Sequence, residues 1–123
     1  MRLLGLRTLI YPSNNLKEDK EWWIKTLGFQ PYFDEPFYVG FNVAGYELGL
    51  DPNSKVEDGP RTYFGVDDVQ QAVNQLVDEG CSVYEKPTNT GGEIVVATVK
   101  KPNGQLLGLI FNPEFKQQDP AQH

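Results

Sequence analysis

A helix-glycine-strand unit that occurs twice limits this chain more than any other feature of its sequence. In the first copy Asn15 is placed to cap a helix, with Glu18 as its capping-box partner. Leu16, Trp23, Ile24 and Leu27 fall near one stripe, and Gly28 supplies a left-handed stop. Residues 29–33 have the aromatic content of a strand, although Pro31 suits an edge or a bulge better than a central position. An offset of 52 residues carries Asn15 onto Asp67 and Gly28 onto Gly80. Between those two, Val69, Ala72, Val73, Leu76 and Val77 follow one helical face, and Asp67 or Asp68 caps with Gln70 or Gln71 at the third helical position. Residues 81–85 then leave Gly80 as residues 29–33 leave Gly28. The copies share little residue identity, so the repeat is one of punctuation and pattern.

The remaining segments complete each copy in the same order. Residues 4–11 read as a first strand, ended by Pro12 and Ser13, and Asp34-Glu35-Pro36 reads as a turn into strands 37–43 and 46–50. Residues 51–60 have the composition of a connecting loop. Strand 61–66 precedes the second helix, residues 86–92 read as loop, residues 93–99 are β-branched, and Asn103-Gly104 turns the chain into strand 106–111. The reading is α+β: two βαβββ repeats forming an incomplete barrel, covering 4–51 and 60–112 of a single domain 1–112, followed by a polar, mobile tail 113–123. At 123 residues each repeat is expected to supply half of a shared core. The inner surface, where side chains of the first, fourth, fifth and eighth strands meet, is the natural place for a small ligand.

Charge and rare residues exclude several chemistries. A formal charge of -6 disfavours electrostatic capture of nucleic acid or of an anionic membrane surface. No apolar run approaches the roughly 18 residues a membrane span needs, and Arg7 interrupts the N-terminus too early for a signal peptide, so a cytoplasmic protein is expected. Cys81 stands alone and suits a small strand residue better than a nucleophile or zinc ligand. The single histidine, His123, closes the polar tail, which removes most histidine-based chemistry.

Three motifs stand at matching places: Trp22-Trp23-Ile24-Lys25-Thr26-Leu27-Gly28-Phe29, Val66-Asp67 at the second helix start, and Lys101-Pro102-Asn103-Gly104 before the last strand. With the doubled strand-helix-three-strand order, the chain resembles the vicinal oxygen chelate superfamily over residues 4–112. That group includes glyoxalases, extradiol dioxygenases, fosfomycin-resistance transferases and bleomycin-binding resistance proteins. The resemblance implies a homodimer. In metal-dependent members four inward positions hold ligands, commonly histidine, glutamate or glutamine, histidine and glutamate; counting from the motifs places them here at Thr8, Glu47, Arg61 and Gly108. Only Glu47 is of the expected kind. Shifting the register by two offers Leu6 or Ile10, Leu106 or Ile110, and Tyr63, none of which restores a ligand set. A divalent metal that keeps an open position needs about three protein donors, and arginine is a permanent cation, so no metal centre and no cofactor are expected.

The candidate site residues follow from those positions. Arg61 and Glu47 pair with each other, or Arg61 holds a ligand carboxylate or phosphate by its planar fork, or Arg61 faces solvent at the start of its strand. Thr8 and Tyr63 add hydroxyls. Phe33, Tyr38, Phe41 and Tyr46 form either an aromatic wall for a flat ligand or ordinary core. Of the two adjacent tryptophans only one can face the sheet, and Trp22 is assigned to the helix flank. The leading functional reading is metal-free binding of a small organic molecule, aromatic or anionic, through Thr8, Phe33, Tyr38, Glu47, Arg61 and Tyr63. The alternative is a lyase, isomerase or dioxygenase-like enzyme using Glu47 as general base or lone retained metal ligand.

Overall fold

The computed structural model describes residues 1–116. The elements run β1 (Leu6–Pro12), α1 (Leu16–Leu27), β2 (Phe33–Glu35), β3 (Tyr38–Val43), β4 (Tyr46–Asp51), a 3-10 turn (Val56–Asp58), β5 (Arg61–Gly65), α2 (Val69–Asp78), β6 (Ser82–Gly91), β7 (Ile94–Lys100) and β8 (Leu106–Phe111). This is α+β, with βαβββ taken twice. The chain divides into two units, one of Thr8–Pro60 and one of Met1–Arg7 with Arg61–Phe115. Among the described residues no helix is long and apolar enough to cross a membrane. His123 and the rest of residues 117–123 lie outside the described residues.

In the Thr8–Pro60 unit the strand order is β2-β3-β4-β1, with β1 parallel to β4 and the other pairs antiparallel. Helix α1 starts where expected, because Asn15 Oδ1 accepts from the Glu18 N–H at 3.1 Å, and Gly28 ends it at φ 86° with its N–H on Ile24 O. Leu16, Trp23, Ile24 and Leu27 pack onto the buried face formed by Val39, Phe41, Leu48 and Leu50. Tyr11 stacks on Trp23 with ring centroids 5.7 Å apart, while Trp22 stays 56% exposed on the flank. The strand expected at residues 29–33 forms later, at Phe33–Glu35, and the turn moves to Pro36 and Phe37. Pro31 has no N–H to give a ladder, so pairing starts with Tyr32, whose N–H donates to Gly40 O at 2.9 Å.

In the other unit the order is β5-β8-β7-β6, with β5 parallel to β8. Asp68 Oδ1 accepts from the Gln71 N–H to begin α2, and Gly80 at φ 106° follows its last turn. Val66, Val69, Ala72, Val73, Ala97, Val99 and Leu109 form the core between α2 and the sheet. The first strand begins later than expected, at Leu6, but the residues before it are still paired: Leu4 N–H donates to Gly65 O, and Gly65 N–H to Gly5 O, both at 2.8 Å. The expected loop at residues 86–92 is instead the second half of β6. Its pairing with β7 continues to Gly91 through three register shifts, which absorb Pro87 and the polar residues that read as loop. Pro87 fits because β6 ends the strand order, and an edge strand has a side that needs no ladder donor.

Candidate functional site

Strand alternation divides the side chains of each unit between its helix and the opposite face. In β3 and β4, Val39, Phe41, Leu48 and Leu50 go under α1, so Tyr38, Gly40, Glu47 and Gly49 face the other way. Phe33 joins them through its register with Gly40, and Thr8 joins them through its register with Glu47. Thr8, Phe33, Tyr38 and Glu47 therefore share one face, as expected. Phe41 and Tyr46 do not: Phe41 is 0% exposed beneath α1, and Tyr46 alternates with Glu47 onto the helix side. The aromatic wall of four is thus corrected to Phe33 and Tyr38, whose ring centroids lie 6.2 Å apart, with Phe37 5.9 Å from Phe33.

Glu47 is the centre of this face. Tyr38 Oη donates to Glu47 Oε1 at 2.9 Å, and Tyr32 Oη donates to Glu47 Oε2. Two glycines make the room. A Cβ on Gly40 would meet Glu47 Oε2 and the Tyr32 ring at 3.1 Å, and one on Gly49 would collide with the Tyr38 hydroxyl. No lysine or arginine among the described residues comes within ion-pair distance of Glu47. Tyr32 was missing from the sequence reading, although the aromatic run 29–33 contains it.

Burial of the Tyr32 hydroxyl, then the neighbouring Glu47 charge and the hydrogen bond to it, raise its pKa above the ordinary tyrosine value near 10. The folded chain holds this proton where the unfolded chain has begun to release it. The stabilisation is therefore complete below about pH 10 and declines as pH rises further. Because the Tyr32 residue is 62% exposed, solvent screening keeps the effect small. Between about pH 8 and about pH 11, urea denaturation is expected to show a smaller stability loss in Tyr32→Phe than in the natural chain. Equal losses would remove the assignment.

In the second unit Arg61 and Tyr63 face away from α2, but they are tied into a polar ring. Arg61 Nη1 donates to Glu85 Oε1 at 2.5 Å, Thr98 Oγ1 donates to the same oxygen at 3.0 Å, and the Tyr63 hydroxyl lies 3.4 Å from Thr98 Oγ1. The carboxylate that Arg61 takes is Glu85, which corrects the pairing with Glu47 considered above. Burial alone would lower the Arg61 pKa, but the Tyr63 hydrogen bond and the fields of Tyr63, Glu85 and Tyr84 outweigh it, so the net shift is upward and the guanidinium stays charged. The Tyr63 ring lies on Gly108: a Cβ there would sit 2.5 Å from Tyr63 Cδ2 and 2.8 Å from the Thr62 carbonyl oxygen.

A profile of the Glyoxalase/Bleomycin resistance protein/Dioxygenase superfamily matches residues 5–109. The chain belongs to this superfamily. No curated protein sequence matches it. Among solved structures it is similar to the Mn(II)-bound glyoxalase from Novosphingobium aromaticivorans, with a TM-score of 0.74 at 15% identity over 96% of this chain and 42% of that one. It is also similar to a Streptomyces coelicolor methylmalonyl-CoA epimerase in complex with 2-nitronate-propionyl-CoA, with 0.70 at 17% over 94% and 99%. A superfamily member from Vibrio splendidus gives 0.65 at 18% over 86% and 97%.

The residues that counting from the motifs assigns to the four ligand positions do not, each in its own unit, suit a divalent ion. Glu47 is hydrogen bonded through both oxygens, Arg61 brings a permanent positive charge, and Gly108 has no donor while the Tyr63 ring fills the space a side chain would enter. Among the described residues no three of histidine, cysteine, aspartate and glutamate gather in a way that could hold a metal.

Proposed function

We propose that this superfamily member binds a small organic molecule, without a metal ion, on the face that carries Glu47. One observation carries the reading: a half-buried carboxylate with two tyrosine hydroxyls set on it over two strand glycines, and no cationic partner among the described residues. Each oxygen keeps acceptor capacity, so the ligand is one that offers an N–H or O–H donor, best with positive charge, on an aromatic body that lies against Phe33 and Tyr38. The names of the structural neighbours span a glyoxalase and an epimerase, so the fold alone does not choose between binding and catalysis. A role for Glu47 as general base is the second reading, and in it the hydroxyls of Tyr32 and Tyr38, which donate hydrogen bonds to the two carboxylate oxygens, would hold the base in place.

The test is a thermal-shift screen of arylalkylamines, run with and without EDTA. A ligand present at about 100 times its Kd stabilises the folded chain by about 2.7 kcal/mol. Glu47→Gln is expected to weaken a hit by about tenfold, since it removes the charge from the hydrogen bond. Stabilisation that vanishes with EDTA, or that Glu47→Gln leaves unchanged, would overturn the proposal.

A further inference from the structure

Arg61 and Arg7 stand on the same unit in contrasting surroundings. Arg61 is closed into a ring with Glu85, Thr98 and Tyr63. Arg7 is half-buried, and its side chain has one hydrogen bond among the described residues, from Nη1 to Leu6 O at 3.2 Å. The described ion pairs are Lys20 with Asp34 and Arg61 with Glu85, and neither includes it. Shortage of acids does not explain this, for the chain has 17 acidic residues against 11 basic ones.

The guanidinium is nonetheless held in place. Its Cζ lies 3.9 Å from the centroid of the Phe115 ring, a stacking contact that fixes the plane. The group also lies against bare backbone at Gly65: a Cβ there would come 2.8 Å from Nε, 3.0 Å from Cζ and 3.1 Å from Nη2. Gly65 alternates with Tyr63 and Arg61 along β5, so the group lies on the face of this unit that points away from α2. A guanidinium carries five N–H donors in a rigid fork that matches two coplanar anionic oxygens. Holding that fork in one orientation before the anion arrives lowers the ordering entropy of binding.

We infer that Arg7 anchors an anion subsite, its guanidinium stacked on Phe115 over Gly65 and open to a carboxylate or phosphate group of a small ligand. The subsite does not depend on the Glu47 reading, because it is built from a different unit and selects the opposite charge.

The experiment titrates sodium benzoate and inorganic phosphate separately into the isotopically labelled chain at low ionic strength, following the arginine Nε–H resonances by NMR. A saturable shift of the Arg7 resonance is expected with at least one of the two anions, and which one answers separates carboxylate from phosphate. Arg7→Leu should abolish that binding. Arg7→Lys keeps the charge but not the fork and should weaken it about tenfold. Gly65→Ala keeps the arginine but pushes the guanidinium from its seat, and should weaken binding too. Thermal melts of each variant confirm that it is folded. The inference is overturned if neither anion gives a saturable shift, or if the folded Arg7→Leu or Arg7→Lys chain binds as tightly as the natural one.

Discussion

Gly108→Glu, which puts a carboxylate at the position that counting from the motifs gives to a fourth metal ligand, is expected to unfold this chain and not to give it a metal. Gly108 is buried, and the space its side chain would enter is taken by the Tyr63 ring and the Thr62 carbonyl oxygen. Even Gly108→Ala brings a methyl group to 2.5 Å from the ring, so the ring or the strand must move, at about 2 kcal/mol for overpacking of this kind. Glutamate adds the burial of an unpaired charge, several kcal/mol more, against a total stability on the order of 5–15 kcal/mol. Urea denaturation of Gly108→Ala reads the first figure. For Gly108→Glu, circular dichroism with and without zinc decides the matter: a native-like spectrum with stoichiometric zinc would show that the Tyr63 ring is not the obstacle argued here.

Phe41→Ala and Phe33→Ala should separate the two faces of the first unit. Phe41 is fully enclosed beneath α1, against Phe29 and the core of Val39, Leu48 and Leu50, and its truncation is expected to cost about 4 kcal/mol. Phe33 is exposed, on the short edge strand β2, and its loss should cost less than about 1 kcal/mol while weakening any ligand that depends on the Glu47 face. Equilibrium unfolding of the two variants reads the difference directly. Comparable losses in both would mean that the alternation along β3 has been assigned to the wrong sides.

The parts of the fold that were legible in the sequence are those set by local chemistry. Asn15 with Glu18, Asp68 with Gln71, and the left-handed glycines at 28 and 80 act within one helical turn, and each stands where its residue type required. The grouping of Thr8, Phe33, Tyr38 and Glu47 was legible too, because it needs only a count by twos and one register per pair of strands. The same count puts Phe41, three residues from Tyr38 on one strand, and Tyr46, adjacent to Glu47, on the core side, which is the other of the two readings those aromatics allow.

What was not legible depends on pairing that sequence spacing does not encode. Glu85 reaches Arg61 and Thr98 only because β6 shifts register between Val83 and Glu85 and again before Thr88, so no count from the helix end finds it. Turn-forming residues in 86–92 concealed strand pairing in the same way, since a bulged edge strand and a loop share a composition. Arg7 gave no signal at all: what singles it out is Phe115, more than a hundred positions away, and a glycine on a neighbouring strand.

The irregularity of β6 also bears on how the molecule behaves in a crowded solution. A ten-residue strand at the end of a sheet is, on length alone, an invitation for a second chain to add on and start a fibril. Here Pro87 removes a donor, Lys86 places charge beside it, and three breaks in register prevent a long flat run of unpaired amides. The same features that disguise the strand in the sequence protect it against templated aggregation.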